Sequence, residues 1–288
     1  MIFSFFVALF GAMAGATATM LDKLVLRVRK IDFKLYQSAS FLGIVVVMAP
    51  LILFFWKTNP GAFELKNILI FLVVIIASVL ANAFAFYSLK WEKITNLEPA
   101  RLLEPFFTIL LAILFSFIFG QALYERNAKI VIPALIAAGA LVFSHLRKHH
   151  LEFNRYFIFA ILGALFFAFE LALSRLILNY YSPLTFYFIR CLMIFIFSII
   201  IFRPNFKKIK TKRVKFEILA SSAIWVIFRV LLYYGYLKLG VILTTLLVML
   251  SPIFIYLFAW KFLKEKIDWR NIVAAIIIIA SILYALLA

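Results

Sequence analysis

Leu102-Leu103-Glu104-Pro105-Phe106-Phe107 and Met249-Leu250-Ser251-Pro252-Ile253-Phe254 are the two stretches that decide how this chain folds. Each sets a proline inside an otherwise continuous apolar run, and each has neighbours at matching distances. Upstream, Tyr87-Ser88-Leu89-Lys90 answers to Gly235-Tyr236-Leu237-Lys238, which makes the Lys-to-Pro interval 15 residues in one case and 14 in the other. Downstream, Glu125-Arg126-Asn127 and Glu265-Lys266-Ile267 each precede a further apolar run. Apolar sequence gives chance matches easily. Landmarks in one order, displaced by 140 to 148 residues, nevertheless point to an internal duplication.

Outward from these landmarks the chain divides into ten apolar runs: Ile2–Leu21, Leu35–Trp56, Asn67–Leu89, Ala100–Phe119 and Ala128–Phe143, then Tyr156–Ile177, Pro183–Phe202, Phe216–Leu237, Val241–Phe262 and Asn271–Leu287. A helix crossing the hydrocarbon core needs about 20 mostly apolar residues, and every run reaches or approaches that length. None alternates inside and outside as a barrel strand would. With 67% hydrophobic residues, 15% charged residues and a mean hydropathy of +1.11, a water-soluble globule is excluded. The expected fold is therefore an all-α integral membrane protein of ten transmembrane helices. Its first five-helix repeat is residues 1–144, a basic joining loop is 145–155, and a second five-helix repeat is 156–288. Five is odd, so the second copy enters the membrane from the opposite side, and the repeats are inverted. Secondary transporters are commonly built this way, with substrate bound near the midplane between the halves.

The first run reads as a membrane helix rather than a cleavable leader. No basic residue precedes it, and Gly11 and Gly15, four apart, give it a small-residue packing face. The net charge of +18 is carried mainly by short loops, a distribution that orients a protein against anionic lipid and leaves no room for a nucleic-acid-binding module. Of the 30 Lys and Arg residues, 22 flank the loops after spans one, three, five, seven and nine, and six lie on the face with both termini. The positive-inside rule then places both termini outside the cytoplasm of a multi-pass cell (inner) membrane protein. The single cysteine, Cys191, cannot form an intrachain disulfide.

Charges inside the spans single out candidate functional residues, because each requires a partner or a wet cavity. Glu170 and Arg229 lie at similar depth in spans six and eight. Arg229 would hold a substrate carboxylate, and Glu170 would bind an amine or carry a coupling proton; a permanent ion pair between them is the competing reading. Arg190, seven residues past Pro183, is shallow enough to reach the interface, which favours anchoring over substrate contact. Arg101 and Glu104, three apart at the start of span four, can pair within one helix. Gln37, Ser38, Ser40 and Asn82 can hydrogen-bond across the bundle or to substrate. Trp225 is the candidate for an aromatic cavity wall, and Tyr233, Tyr234 and Tyr236 for an interfacial belt. Pro105 and Pro252 can kink their helices as gating points. His145, His149 and His150 read as loop residues; no metal-ligand spacing, Gly-rich phosphate loop or cofactor motif occurs.

These features resemble the EamA family of the drug/metabolite transporter superfamily. Leu250-Ser251-Pro252-Ile253-Phe254, Glu265 thirteen residues past Pro252, and an apolar last helix look like the pattern that closes each repeat of that family. In the first half Glu104-Pro105-Phe106, Glu125 and Gly139 are similar. The resemblance implies export or exchange of a small metabolite, amino acids among them, without ATP hydrolysis. The expected partners are a small-molecule substrate and the lipid bilayer, with the chain a monomer or a homodimer. Two other functions stay open: a lipid or polyprenyl-phosphate flippase on the same fold, whose embedded arginines would bind phosphate, and an intramembrane enzyme, which would have only Glu170 and the arginines to work with.

Overall fold

The computed structural model describes residues 2–28, 31–92, 94–120, 123–125, 127–145, 154–254 and 269–287. The joining-loop histidines His149 and His150, the landmark Glu265 and the far end of the ninth span lie outside these residues. Helices α1 (Ile2–Lys23), α2 (Phe33–Phe55), α3 (Leu65–Trp91), α4 (Ile94–Arg101), α5 (Leu103–Phe119) and α6 (Ala128–His145) make up the first half. The second half has α7 (Arg155–Ser174), α8 (Pro183–Phe202), α9 (Lys212–Lys238), α10 (Val241–Val248) and α11 (Trp269–Leu287). Seven helices of the described residues are long and apolar enough to cross a membrane. With α1 and the shorter apolar stretches Ala128–Ser144 and Val241–Phe254, the spans number ten, α4 and α5 forming one of them.

The proline landmarks explain where two spans break. Proline has no N–H to give to the carbonyl four residues earlier, and its ring crowds that carbonyl. Four residues before Pro105 stands Arg101, the last residue of α4; four before Pro252 stands Val248, the last of α10. Leu102 and Met249 follow with nearly the same turn geometry, φ −69° and ψ −8° against φ −62° and ψ −8°. The breaks are thus a repeated feature of both halves.

The packing has the pattern that an inverted pair requires. The first helix of each half packs on the third of the other (α1 on α9, α7 on α3), the second on the second (α2 on α8), and the last on the last (α6 on α11). Gly163 lets α7 approach α3 closely, since a Cβ there would meet the Ala85 N and Ala81 O backbone atoms at 3.3 and 3.4 Å. Large apolar side chains such as Leu53, Phe54, Ile200 and Leu287 remain exposed on the outer helix faces, where the hydrocarbon of the bilayer covers them.

On the face opposite the basic loops, the two halves are tied together. Asn59 N–H donates to the Tyr180 carbonyl (2.8 Å) and Ser182 N–H to that of Lys57 (3.0 Å), around an antiparallel bridge of Thr58 with Tyr181. Nearby, the Glu125 carboxylate caps α10, accepting from the N–H groups of Val241 (3.0 Å) and Ile242 (3.2 Å). Burial pushes this carboxyl up, while the three backbone donors of α10 pull it back down. Gly240, at φ +84° and ψ 173°, makes the cap possible, because a Cβ there would overlap the Glu125 carboxylate. Gly240→Ala is therefore expected to cost roughly 1–3 kcal/mol from the backbone conformation alone. The loss should appear as a lower melting temperature in detergent, and an unchanged melting curve would refute this role for the cap.

Candidate functional site

Three inter-half packings bring the buried charges together. α7 carries Glu170, fully buried, against α3, where Ser78 donates its hydroxyl to the carboxylate. α8 carries Arg190, 2% exposed, which forms an ion pair with Glu170. Its Nε donates to Ser78 Oγ (2.9 Å) and its Nη1 to the Tyr233 hydroxyl (2.8 Å). α9 carries Arg229, whose Nη1 stands 3.5 Å from Glu170 Oε1. One carboxylate thus faces two guanidiniums. Arg190 is fully engaged. Arg229 Nη1 and Glu170 Oε1 are instead both buried without a hydrogen-bond partner. The Arg229 guanidinium is held in a ring cage, 5.5 Å from the Phe167 centroid and 5.7 Å from those of Trp225 and Phe228.

A cavity of about 180 Å³ lies between the halves. Arg190, Arg229 and Tyr187 line it at mid-membrane, Asn82 and Trp225 line its walls, and Ser88, Leu89 and Leu97 line it where α3 ends and α4 begins, toward the basic loops. Pro105 and Pro252 also border it, so both helix breaks face the same space. Along α9 the residues Ser221, Trp225, Arg229 and Tyr233 recur every fourth position and so share one face. That face runs roughly 18 Å by helix rise, with Trp225 and Arg229 on the cavity.

Several expectations change. Arg190 does not reach an interface: it is the tightest partner of Glu170, because α8 packs inward on α2 and α3 rather than toward lipid. Tyr233 and Tyr236 are buried at 0% and 1% exposure and do not form an interfacial belt; Tyr233 is turned inward by its bond to Arg190. Gln37 is fully buried but absent from the cavity wall, where its Nε2 bridges to the Val79 carbonyl (3.4 Å) and Ser198 Oγ (3.3 Å). Asn82 both lines the cavity and donates back to the Ser78 carbonyl (2.7 Å). Arg101 and Glu104 are separated by the break at Leu102; Arg101 donates to Thr19 Oγ1 (3.3 Å), and both residues line the cavity.

One residue was missed altogether. Asp22, one residue from the end of α1, is 2% exposed and lines the cavity. Its carboxylate accepts from the Tyr36 hydroxyl (2.5 Å), Ser221 Oγ (2.5 Å) and Trp225 Nε1 (2.9 Å). A sequence signal existed. Asp22 and Glu170 are 148 residues apart, the same displacement that relates Tyr87-Ser88-Leu89-Lys90 to Gly235-Tyr236-Leu237-Lys238.

Residues 154–287 match the model of the EamA-like transporter family. The match takes in nearly all of the second half of the chain. A solved crystal structure covers 99% of this chain, and 96% of its own, at a TM-score of 0.71 and 17% identity, a likeness of fold. No curated protein matches. The EamA-like half contributes Glu170, Arg190, Trp225 and Arg229, and the first half contributes Asp22, Ser78 and Asn82. The site is assembled only when the two halves pack.

Proposed function

We propose that this chain is a secondary transporter that exports or exchanges a small metabolite carrying a carboxylate, such as an amino acid, by alternating access between its halves. The observation that carries this reading is Arg229: a buried guanidinium on the cavity wall, caged by three rings, whose ion pair with Glu170 is loose at 3.5 Å and makes no hydrogen bond. A buried cation so loosely held at a cavity wall is poised for an anionic ligand. Glu170 serves to position the two arginines, and Arg190 fixes Glu170. No bond need be made or broken in this cycle; the protein works by binding and by rearranging the halves about the breaks before Pro105 and Pro252.

The reading places the basic loops in the cytoplasm of the cell membrane, so that the cavity opens inward and the Thr58–Tyr181 and Glu125–α10 contacts close the outer face. A reporter fused after Ala288 is then expected to be non-cytoplasmic, and cytoplasmic reporter activity would overturn the orientation. Function is tested by counterflow: proteoliposomes loaded with unlabelled amino acids should accumulate radiolabelled ones faster than empty liposomes. Absence of counterflow across acidic, neutral and basic amino acids, together with protein-dependent flipping of a fluorescent phospholipid, would replace this reading with that of a flippase.

A further inference from the structure

Asp22 and Glu170 occupy equivalent places in the inverted repeat. Each stands on the first helix of its half. Each accepts from a serine on the third helix of the other half, Ser221 for Asp22 and Ser78 for Glu170. Each also binds a side chain of the second helix of its own half, Tyr36 or Arg190. Inversion puts the two carboxylates on opposite sides of the midplane, Asp22 nearer the basic loops. Their partners differ in one decisive respect. Glu170 lies against two guanidiniums, so a proton added to it would leave two buried cations without an anion. Asp22 accepts hydrogen bonds only from neutral donors, and Arg101 acts on its charge from the cavity wall without an ion pair among the described residues.

We propose that Asp22 is the proton-binding carboxylate of this protein, taking up a proton from water in the cavity and releasing it there as the transport cycle turns. This rests on the transporter reading above. The hydrogen bonds say which oxygen takes the proton. Trp225 can only donate, so Oδ2 stays an acceptor. Oδ1 meets two hydroxyls, and either can turn from donor to acceptor when an O–H bond forms there. Ser40 Oγ, 4% exposed, without a hydrogen-bond partner and one helical turn from Tyr36, borders the same cavity and offers a receiver for a turned hydroxyl hydrogen. The other charged groups facing this end are Arg101 and Glu104 on the cavity wall, Arg229 two turns along α9 from Ser221, and Glu217 one turn before Ser221, paired with Arg213 (3.1 Å).

The test needs no known substrate, since the ligand is the proton. Purified protein in lipid nanodiscs is titrated with acid while the infrared carbonyl band of a protonated carboxylic acid and the tryptophan fluorescence are followed. The wild type should gain the band and change its fluorescence together as pH falls. Asp22→Asn should lose both responses, the charge-balanced double variant Glu170→Gln with Arg190→Gln should keep both, and Trp225→Phe should keep the band while losing the fluorescence change. Should Asp22→Asn fail to fold, Asp22→Glu is expected to shift the titration midpoint. A band that persists in Asp22→Asn, vanishes in the folded double variant, or keeps its midpoint in Asp22→Glu would overturn the assignment. If the band follows Asp22 but counterflow is absent for every amino acid, the proton site stands and the transporter reading falls.

Discussion

Arg190→Ala is expected to be the most destabilising substitution in this protein. The guanidinium holds together three helices from both halves: Glu170 on α7, Ser78 on α3 and Tyr233 on α9. Removing one partner of a buried ion pair typically costs about 3–5 kcal/mol, because the remaining charge is left uncompensated. Here Arg229 stands 3.5 Å from the carboxylate and offsets part of that loss. The melting temperature in detergent should fall well below that of any single surface variant. Adding Glu170→Gln to Arg190→Ala should recover part of the fall, since it removes the stranded anion. Arg190→Lys should rescue little, because one ammonium cannot copy a planar fork that reaches three partners. If Arg190→Ala melts like the wild type, the cluster is not the fastening point between the halves.

Arg229→Ala should instead act on binding. Its side chain reaches the cavity, and its ion pair with Glu170 is the looser of the two. A hydrogen bond to a charged group contributes about 1.5–3 kcal/mol, and each 1.4 kcal/mol is tenfold in affinity. The half-saturation concentration for a carboxylate substrate in counterflow should rise by about ten- to a hundredfold. The matching amine, which lacks the carboxylate, should be affected far less. Equal weakening for acid and amine would remove Arg229 as the carboxylate-binding group. The contrast with Arg190 is itself diagnostic: Arg229→Ala should lower affinity more than stability, and Arg190→Ala the reverse.

Much of the architecture was readable before any coordinates. Ten spans follow from the lengths of the apolar runs, since hydrocarbon thickness sets a helix length whatever the packing. The duplication followed from Pro105 and Pro252, and the helix breaks are local consequences of proline chemistry, which acts on the carbonyl four residues earlier in any context. The basic face followed from loop charges. Glu170 and Arg229 stood out because a charge inside an apolar run is rare and costly.

Partnership was not readable. Arg190 reads as shallow when depth is counted from Pro183 alone, but what fixes its role is that α8 packs against α2 and α3. Tyr233 and Tyr236 stand near the end of their span, a position typical of an interfacial belt, yet the rotation of α9 turns them inward. Asp22 reads as the first loop residue after a hydrophobic run, and its partners lie 14, 199 and 203 residues away. Sequence by itself determined everything that depends on a residue and its near neighbours in the chain: span length, helix breaks, loop charge and the presence of buried ions. Only the tertiary structure decided which ions meet. That depends on the rotation and approach of α7, α8 and α9 around α3 of the other half, set by side-chain packing and by close contacts such as Gly163 against α3.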